Sequence, residues 1–307
     1  MKIDWHLHVN DPKDADQPRW QGRCPMTLER ALEAHAQNGL DRSVISNPVA
    51  HASRLGSDRE ILAAVEESNR YLAQCRDRYP DNIVAMATCI PGGGEPFLRE
   101  LERAVKQDDM RAAMITSSFK GHYPDADEAM PFFQLACSLD IPVFVHPGEV
   151  APANMSDYRL TSSIGRPADL CLALARLIVR GIFEKFPTLK LTASHLGGGI
   201  CEVIGRMDFA YELVDELFFL GPYEPVLIKH PPSRYVKMLY LDSASYHAPA
   251  AKMCLETIGA DRFLLGTDAP PLNAIKPKAI AMIGELGLSA ADKDKVMGGN
   301  AKRLLKI

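Results

Sequence analysis

Short apolar runs rich in β-branched residues alternate along the chain with longer stretches that carry helical apolar spacing. The runs Lys2–Leu7, Arg42–Ser46, Ile83–Thr88, Ala112–Thr116, Pro142–Val145, Leu189–Ser194, Val236–Leu241 and Arg262–Gly266 predict eight strands. Between them, helices are predicted over Thr27–Gln37, Asp58–Tyr79, Phe97–Lys106, Glu128–Leu139, Pro167–Phe186, Ile200–Phe219, Ala248–Ile258 and Pro277–Leu286. Strict alternation of strand and helix argues a parallel sheet. Eight such units argue a closed (β/α)8 TIM barrel over an open doubly wound sheet. Pro231-Pro232 and Pro270-Pro271 fall in loops and no linker interrupts the pattern, so residues 1–307 read as one domain.

Composition narrows the function. The 307 residues are 47% hydrophobic and 24% charged, ordinary for a chain with a large core. A net charge of -4 with no basic stripe argues against a nucleic-acid partner. Apolar runs are broken by charges well short of the ~20 residues a membrane span needs, and no signal peptide is evident. The seven cysteines are odd in number, widely spaced and free of Cys-x-x-Cys. They read as reduced thiols in a cytoplasmic protein. The glycine-rich pieces at 91–95 and 195–200 lack Gly-x-Gly-x-x-Gly spacing, which disfavours a dinucleotide site.

The chemistry sits at the predicted strand ends. His6 and His8 close the first strand, and residues two apart in a strand share a face. His146 follows the fifth strand in VFVHPGE, His195 the sixth in LTASHLGGG, and Asp268 the eighth in LLGTDAP. In a barrel all of these ends meet at the mouth where active sites lie. Three imidazoles and a carboxylate suit a divalent ion such as zinc, manganese, iron or cobalt. Such an ion lowers the pKa of a bound water from ~15.7 to ~7. One histidine is then needed as a base beside that water rather than as a ligand.

These residues resemble the amidohydrolase superfamily, and more closely its 2-amino-3-carboxymuconate-6-semialdehyde decarboxylase-like branch. The most specific stretches are VFVHPGE, GIFEKFPTLKLTASHLGGG, IGADRFLLGTD and GNAKRLL. The resemblance implies a distorted (β/α)8 barrel with one divalent metal, zinc first, with manganese or another ion as alternatives. It implies His6, His8, His146 and Asp268 as ligands and His195 as catalytic base, with Asp268 exchanging between ligand and proton carrier. Arg206 matches an arginine that reaches into a neighbouring subunit's site, implying a homodimer. Ser117 and Ser118 stand where binuclear relatives carry a bridging lysine, and Lys120 lies too late, which favours a single ion. The insertion after the first strand is short here, and Arg23 or Arg19 stands in for the substrate-binding arginine found there.

Two reactions fit such a site. The first is non-oxidative decarboxylation of a small unsaturated or aromatic acid through a metal-bound water and a histidine base. The second is hydrolysis of a lactone, amide or similar bond, or hydration, at the same centre. A non-catalytic ligand-binding barrel is the third alternative. Arg54 and His51 follow the second strand and are candidates to line the pocket. Asp242, ending the seventh strand, reads as a site contact or a turn residue, with His247 a weaker candidate. Asp4, on the strand face of His6, reads as a group orienting an imidazole or as an interior contact. Trp5 is expected to pack behind the barrel, and His35 within the first helix.

Overall fold

The computed structural model describes residues 1–11, 27–48, 56–148, 155, 157–213, 226–269 and 276–307. Eight parallel strands run in sequence order: β1 (Ile3–His8), β2 (Arg42–Ser46), β3 (Ile83–Thr88), β4 (Ala112–Thr116), β5 (Val143–His146), β6 (Leu191–Ala193), β7 (Tyr240–Asp242) and β8 (Phe263–Leu264). Backbone bonds from Trp5 N to Leu265 O (2.8 Å), Asp268 N to His6 O (2.9 Å) and His8 N to Ala269 O (2.8 Å) bring the last strand back onto the first. The result is the expected (β/α)8 barrel.

Side-chain alternation builds two apolar layers. Val44, Val84, Met86, Ala112, Met114 and Phe144 fill the barrel interior. Their strand neighbours Ile45, Ile83, Ala85, Ala113, Ile115 and Val143 face outward and meet the helices. The outer helices form where local chemistry favours them. The Asp58–Arg78 helix opens with a capping box: Ser57 Oγ accepts from Glu60 N (3.3 Å), and Glu60 Oε2 accepts from Ser57 N (2.8 Å).

Three predicted elements differ. Ile200–Phe219 is helical over Ile204–Glu212, and residues 214–219 lie outside the described residues. Val236–Leu241 is not one strand: Pro232–Val236 is a short helix, and β7 begins only at Tyr240. Pro232 occupies the first helical turn, where its fixed φ favours helix entry. The predicted Pro167–Phe186 helix divides into Arg166–Val179 and Ile182–Lys185.

The first strand holds a larger surprise. Its register with β2 shifts between Asp4 and Leu7: three steps along β1 oppose two along β2, from Ser43 to Ile45. This bulge places one extra residue in β1 and breaks the alternation. Trp5 and His6 therefore both face inward. Trp5 is fully buried inside the barrel, edge-on to Phe144 with centroids 6.2 Å apart, and not behind it as expected. Asp4 faces the other way from His6. It accepts from Thr267 N (3.1 Å) and Thr267 Oγ1 (2.5 Å) and lies 3.5 Å from the buried Lys276 ammonium. It touches no imidazole of the site; its link to β1 is to His6 N (3.2 Å). His35 packs as expected, bonded to Ser43 Oγ at 2.9 Å.

Candidate metal centre

The barrel brings all five predicted groups together at the C-terminal ends of the strands. His6 and His8 end β1, His146 ends β5, and His195 and Asp268 lie just beyond β6 and β8. Donor atoms of His6, His146, His195 and Asp268 all lie within 4.8 Å of one another. His8 Nε2 joins them, 3.1 Å from His6 Nε2, 3.1 Å from His146 Nε2 and 3.1 Å from Asp268 Oδ1. His6, His8 and His146 are buried, while His195 and Asp268 are partly exposed at the rim.

The outer nitrogens of the four rings decide what the inner ones can do. His6 Nδ1 lies 2.8 Å from Asp242 Oδ2, His146 Nδ1 3.1 Å from Pro147 O, and His195 Nδ1 2.8 Å from Ala244 O. Carboxylate and carbonyl oxygens only accept, so each Nδ1 carries its proton and donates it. His8 Nδ1 faces Ser46 Oγ at 3.1 Å, and the Ser46 hydroxyl donates to Leu7 O (3.3 Å), so His8 Nδ1 is also a donor. Once neutral, four rings held this way turn four Nε2 lone pairs toward one point, beside the Asp268 carboxylate. Lone pairs at 3.1 Å repel unless a proton or a metal ion stands among them. The donor set therefore fits one divalent ion.

Without an ion, the centre keeps a proton on His6. Burial works against a charged His6, but the carboxylates of Asp242 and Asp268 outweigh it and hold its pKa up at about 10. Burial lowers His8, and burial with the neighbouring imidazoles pushes His146 well below the usual histidine range. Asp268 stays well below the usual carboxylate range: burial opposes ionisation, and His6 overcomes it. A cation at His6 Nε2 must displace the proton held there. We predict that ion binding at neutral pH releases about one proton per ion, and that affinity falls about tenfold for each pH unit lowered below about 10. Chelator competition at several pH values checks this. A raised folded-state pKa stabilises the metal-free fold fully below the unfolded value of 6.5, and this stabilisation is lost as pH rises through about 10.

Asp242 is the hub of this arrangement. Besides His6 it accepts from His195 N (2.8 Å) and Ala244 N (3.0 Å), so one carboxylate orients a ring of β1 and anchors the loop of β6. It packs closely because residue 266 is glycine: a Cβ there would lie 2.8 Å from the Asp242 carboxyl carbon. The HLGGG run turns sharply, with positive φ at every residue from His195 (50°) to Gly199 (100°). A Cβ on Gly198 would fall 2.0 Å from Pro167 O. Gly198→Ala is expected to destabilise the fold by on the order of 3 kcal/mol or more, read by urea unfolding.

Ser46 was not legible as a site residue, although it is the register partner of His8 on β2. Ser117 and Ser118 both donate to Asp169 Oδ2, the second at 3.0 Å, and Gly148 N donates to Ser117 Oγ (2.8 Å). They tie the β4 and β5 loops together. Lys120 is outside the cluster and pairs with Asp58 at 3.5 Å. Arg206 is exposed on the Ile204–Glu212 helix, stacked over Phe209 at 5.2 Å, and touches none of the cluster residues of its own chain. His247 is exposed. Arg19, Arg23, Arg54 and His51 lie outside the described residues.

A (β/α)8 barrel with a histidine-aspartate cluster at its mouth defines a class of metal-dependent hydrolases and lyases. The Amidohydrolase family model matches residues 3–307, and the chain belongs to that family. A 2-amino-3-carboxymuconate-6-semialdehyde decarboxylase of Dictyostelium discoideum is 27% identical, with 88% of this chain and 74% of the relative covered. A gamma-resorcylate decarboxylase of Polaromonas sp. is 23% identical, with 96% and 92% covered. The crystal structure of a 5-carboxyvanillate decarboxylase of Novosphingobium aromaticivorans, with bound manganese, superposes with a TM-score of 0.89. It is 20% identical and covers 100% of this chain and 97% of its own.

Proposed function

We propose that the protein is a divalent-metal-dependent, non-oxidative decarboxylase of a small aromatic or conjugated carboxylic acid. One observation carries the reading: all four Nδ1 atoms are donors, so four Nε2 lone pairs and Asp268 converge on one point. The decarboxylases among the similar proteins supply the reaction class.

His6, His8, His146 and Asp268 are the proposed ligands. An ion held by these residues would supply a Lewis acid for the substrate's oxygen groups. His195 stands at the rim, its Nδ1 tied to Ala244 O and its Nε2 free to hold a proton. It passes that proton to the carbon bearing the carboxylate. The carbon–carboxylate bond then breaks, its electron pair restores conjugation, and carbon dioxide leaves. His195 regains a proton from solvent. Asp268, on the same rim, is the second group able to exchange a proton there.

Zinc is the proposed ion, with manganese the alternative supported by the similar crystal structure. A homodimer is proposed on the Ile204–Glu212 helix, which has no buried residue and presents Arg206 and Phe209 to solvent. A reducing cytoplasmic setting accords with the six described cysteines, all free thiols, and among the described residues no helix is long and apolar enough to cross a membrane.

The test is to incubate the metal-loaded protein with aromatic and conjugated acids and to measure carbon dioxide with solvent deuterium in the product. Carbon dioxide with one deuterium at the former carboxylate carbon is expected. Incorporation of labelled oxygen from water without gas would replace this reading with hydrolysis or hydration.

A further inference from the structure

A cavity of about 390 Å³ opens beside the barrel mouth between the loops that follow β3 and β4. This is the size range of a small-molecule site. Ile61, Ile90, Phe97, Phe119 and Ala126 are among its apolar walls. None of the five cluster residues lines it. Thr116, at the end of β4, also lines it. Thr116 follows the inward positions Ala112 and Met114 on β4 and is the register partner of His146. Adjacent strands lie about 4.8 Å apart, so the cavity begins one strand from a proposed ligand.

Four polar side chains of the lining are already engaged, and the other two, His122 and Glu128, are exposed. Thr116 Oγ1 donates to Ser118 O (2.8 Å), and Tyr123 Oη donates to Asp169 Oδ1 (2.7 Å). The Lys120 ammonium is balanced by Asp58 at 3.5 Å and lies 5.7 Å from the Phe119 ring centre. A ligand group entering here meets apolar walls, the Lys120–Asp58 pair and the exposed Glu128 carboxylate, so a second anionic substituent gains nothing. The wall itself is held in shape. Phe119 and His122 exchange backbone hydrogen bonds, both 2.9 Å, across Lys120 (φ 48°) and Gly121 (φ 78°). Positive φ at both central residues marks a tight two-residue hairpin turn.

We infer that this cavity receives an uncharged apolar substituent, alkyl or aryl, on an acid whose carboxylate end lies at the metal centre. The inference rests on the proposed function for the placement of that end and adds the substituent class. The test uses 2,6-dihydroxybenzoate and its 3- and 4-alkyl homologues from methyl to pentyl. Binding to the metal-loaded protein is measured by calorimetry, and carbon dioxide release separately. Affinity should tighten about three- to fourfold per methylene along one of the two series until the cavity is full. Ala126→Phe, at a partly exposed position, should abolish that gain while leaving the parent acid within about twofold. Phe119→Ala should extend the series to longer chains. A flat series in the wild type, or Ala126→Phe weakening parent and pentyl acids equally, overturns the inference. Tightening without gas release would sink the decarboxylase reading and leave the cavity assignment standing; gas release with a flat series does the reverse. If none of these acids binds, crystals soaked in bromobenzene decide: bromine density between Phe119 and Ile90 supports the apolar site, and its absence there overturns it.

Discussion

His195→Asn is expected to lower turnover by about 10²–10⁴ while leaving metal content close to that of the wild type. The reason lies in the two ends of the ring. Nδ1 is fixed by the Ala244 carbonyl at 2.8 Å, so the ring presents Nε2 at the rim in one orientation. His6, His8 and His146 are buried beneath it and, with Asp268, form a complete donor set without it. Asparagine keeps a short polar side chain but cannot carry a proton between solvent and substrate. Turnover on saturating substrate and metal analysis on the same preparation check this. Loss of the ion together with activity would make His195 a ligand and leave the proton without a carrier.

Asp242→Asn separates two jobs of one residue. Asparagine can still accept from His195 N and Ala244 N through its oxygen, so the loop after β6 keeps its anchor. The atom facing His6 Nδ1, now 2.8 Å from a carboxylate oxygen, becomes an amide NH2. Two donors then face each other, and His6 escapes by moving its proton to Nε2, which removes a ligand lone pair from the centre. Metal affinity is expected to fall about 10- to 100-fold, as is usual when the partner that orients a ligating histidine is lost. The proton trap at His6 weakens at the same time, so the pH dependence of ion binding flattens. Chelator competition on folded variant protein reads both. Wild-type affinity in this variant would show that the carboxylate does not orient His6.

The barrel and the meeting of His6, His8, His146, His195 and Asp268 were legible because both follow from periodicity: apolar runs set the strands, and chemistry recurred just past their ends. What was hidden depends on single-residue shifts and on atoms outside the motifs. The bulge between Asp4 and Leu7 leaves no mark in the pattern IDWHLH, yet it turns Trp5 inward and Asp4 outward. Strict alternation therefore put Trp5 behind the barrel and Asp4 on the face of His6, while the reading of Asp4 as an interior contact holds. Asp4 instead supports the centre indirectly, joining His6 N to Thr267 just before Asp268. Ser46 ends a strand with no distinguishing neighbours, and only its register with His8 reveals its part. The Ala244 carbonyl that orients His195 belongs to the backbone, which no side-chain motif can announce. The glycines of HLGGG and GTD were visible as motif letters, but their physical reasons are tertiary. Gly198 admits the Pro167 carbonyl, and Gly266 admits the Asp242 carboxylate.

The most direct test of the account is to strip the purified protein with a strong chelator, then add back a divalent ion in steps while following bound ion and carbon dioxide release together. The account predicts one ion bound per chain, no turnover in the stripped protein, and recovery in proportion to occupancy, with His6→Ala and His146→Ala recovering neither. Full turnover by protein that holds no ion, or ion binding undiminished in those two variants, would contradict it.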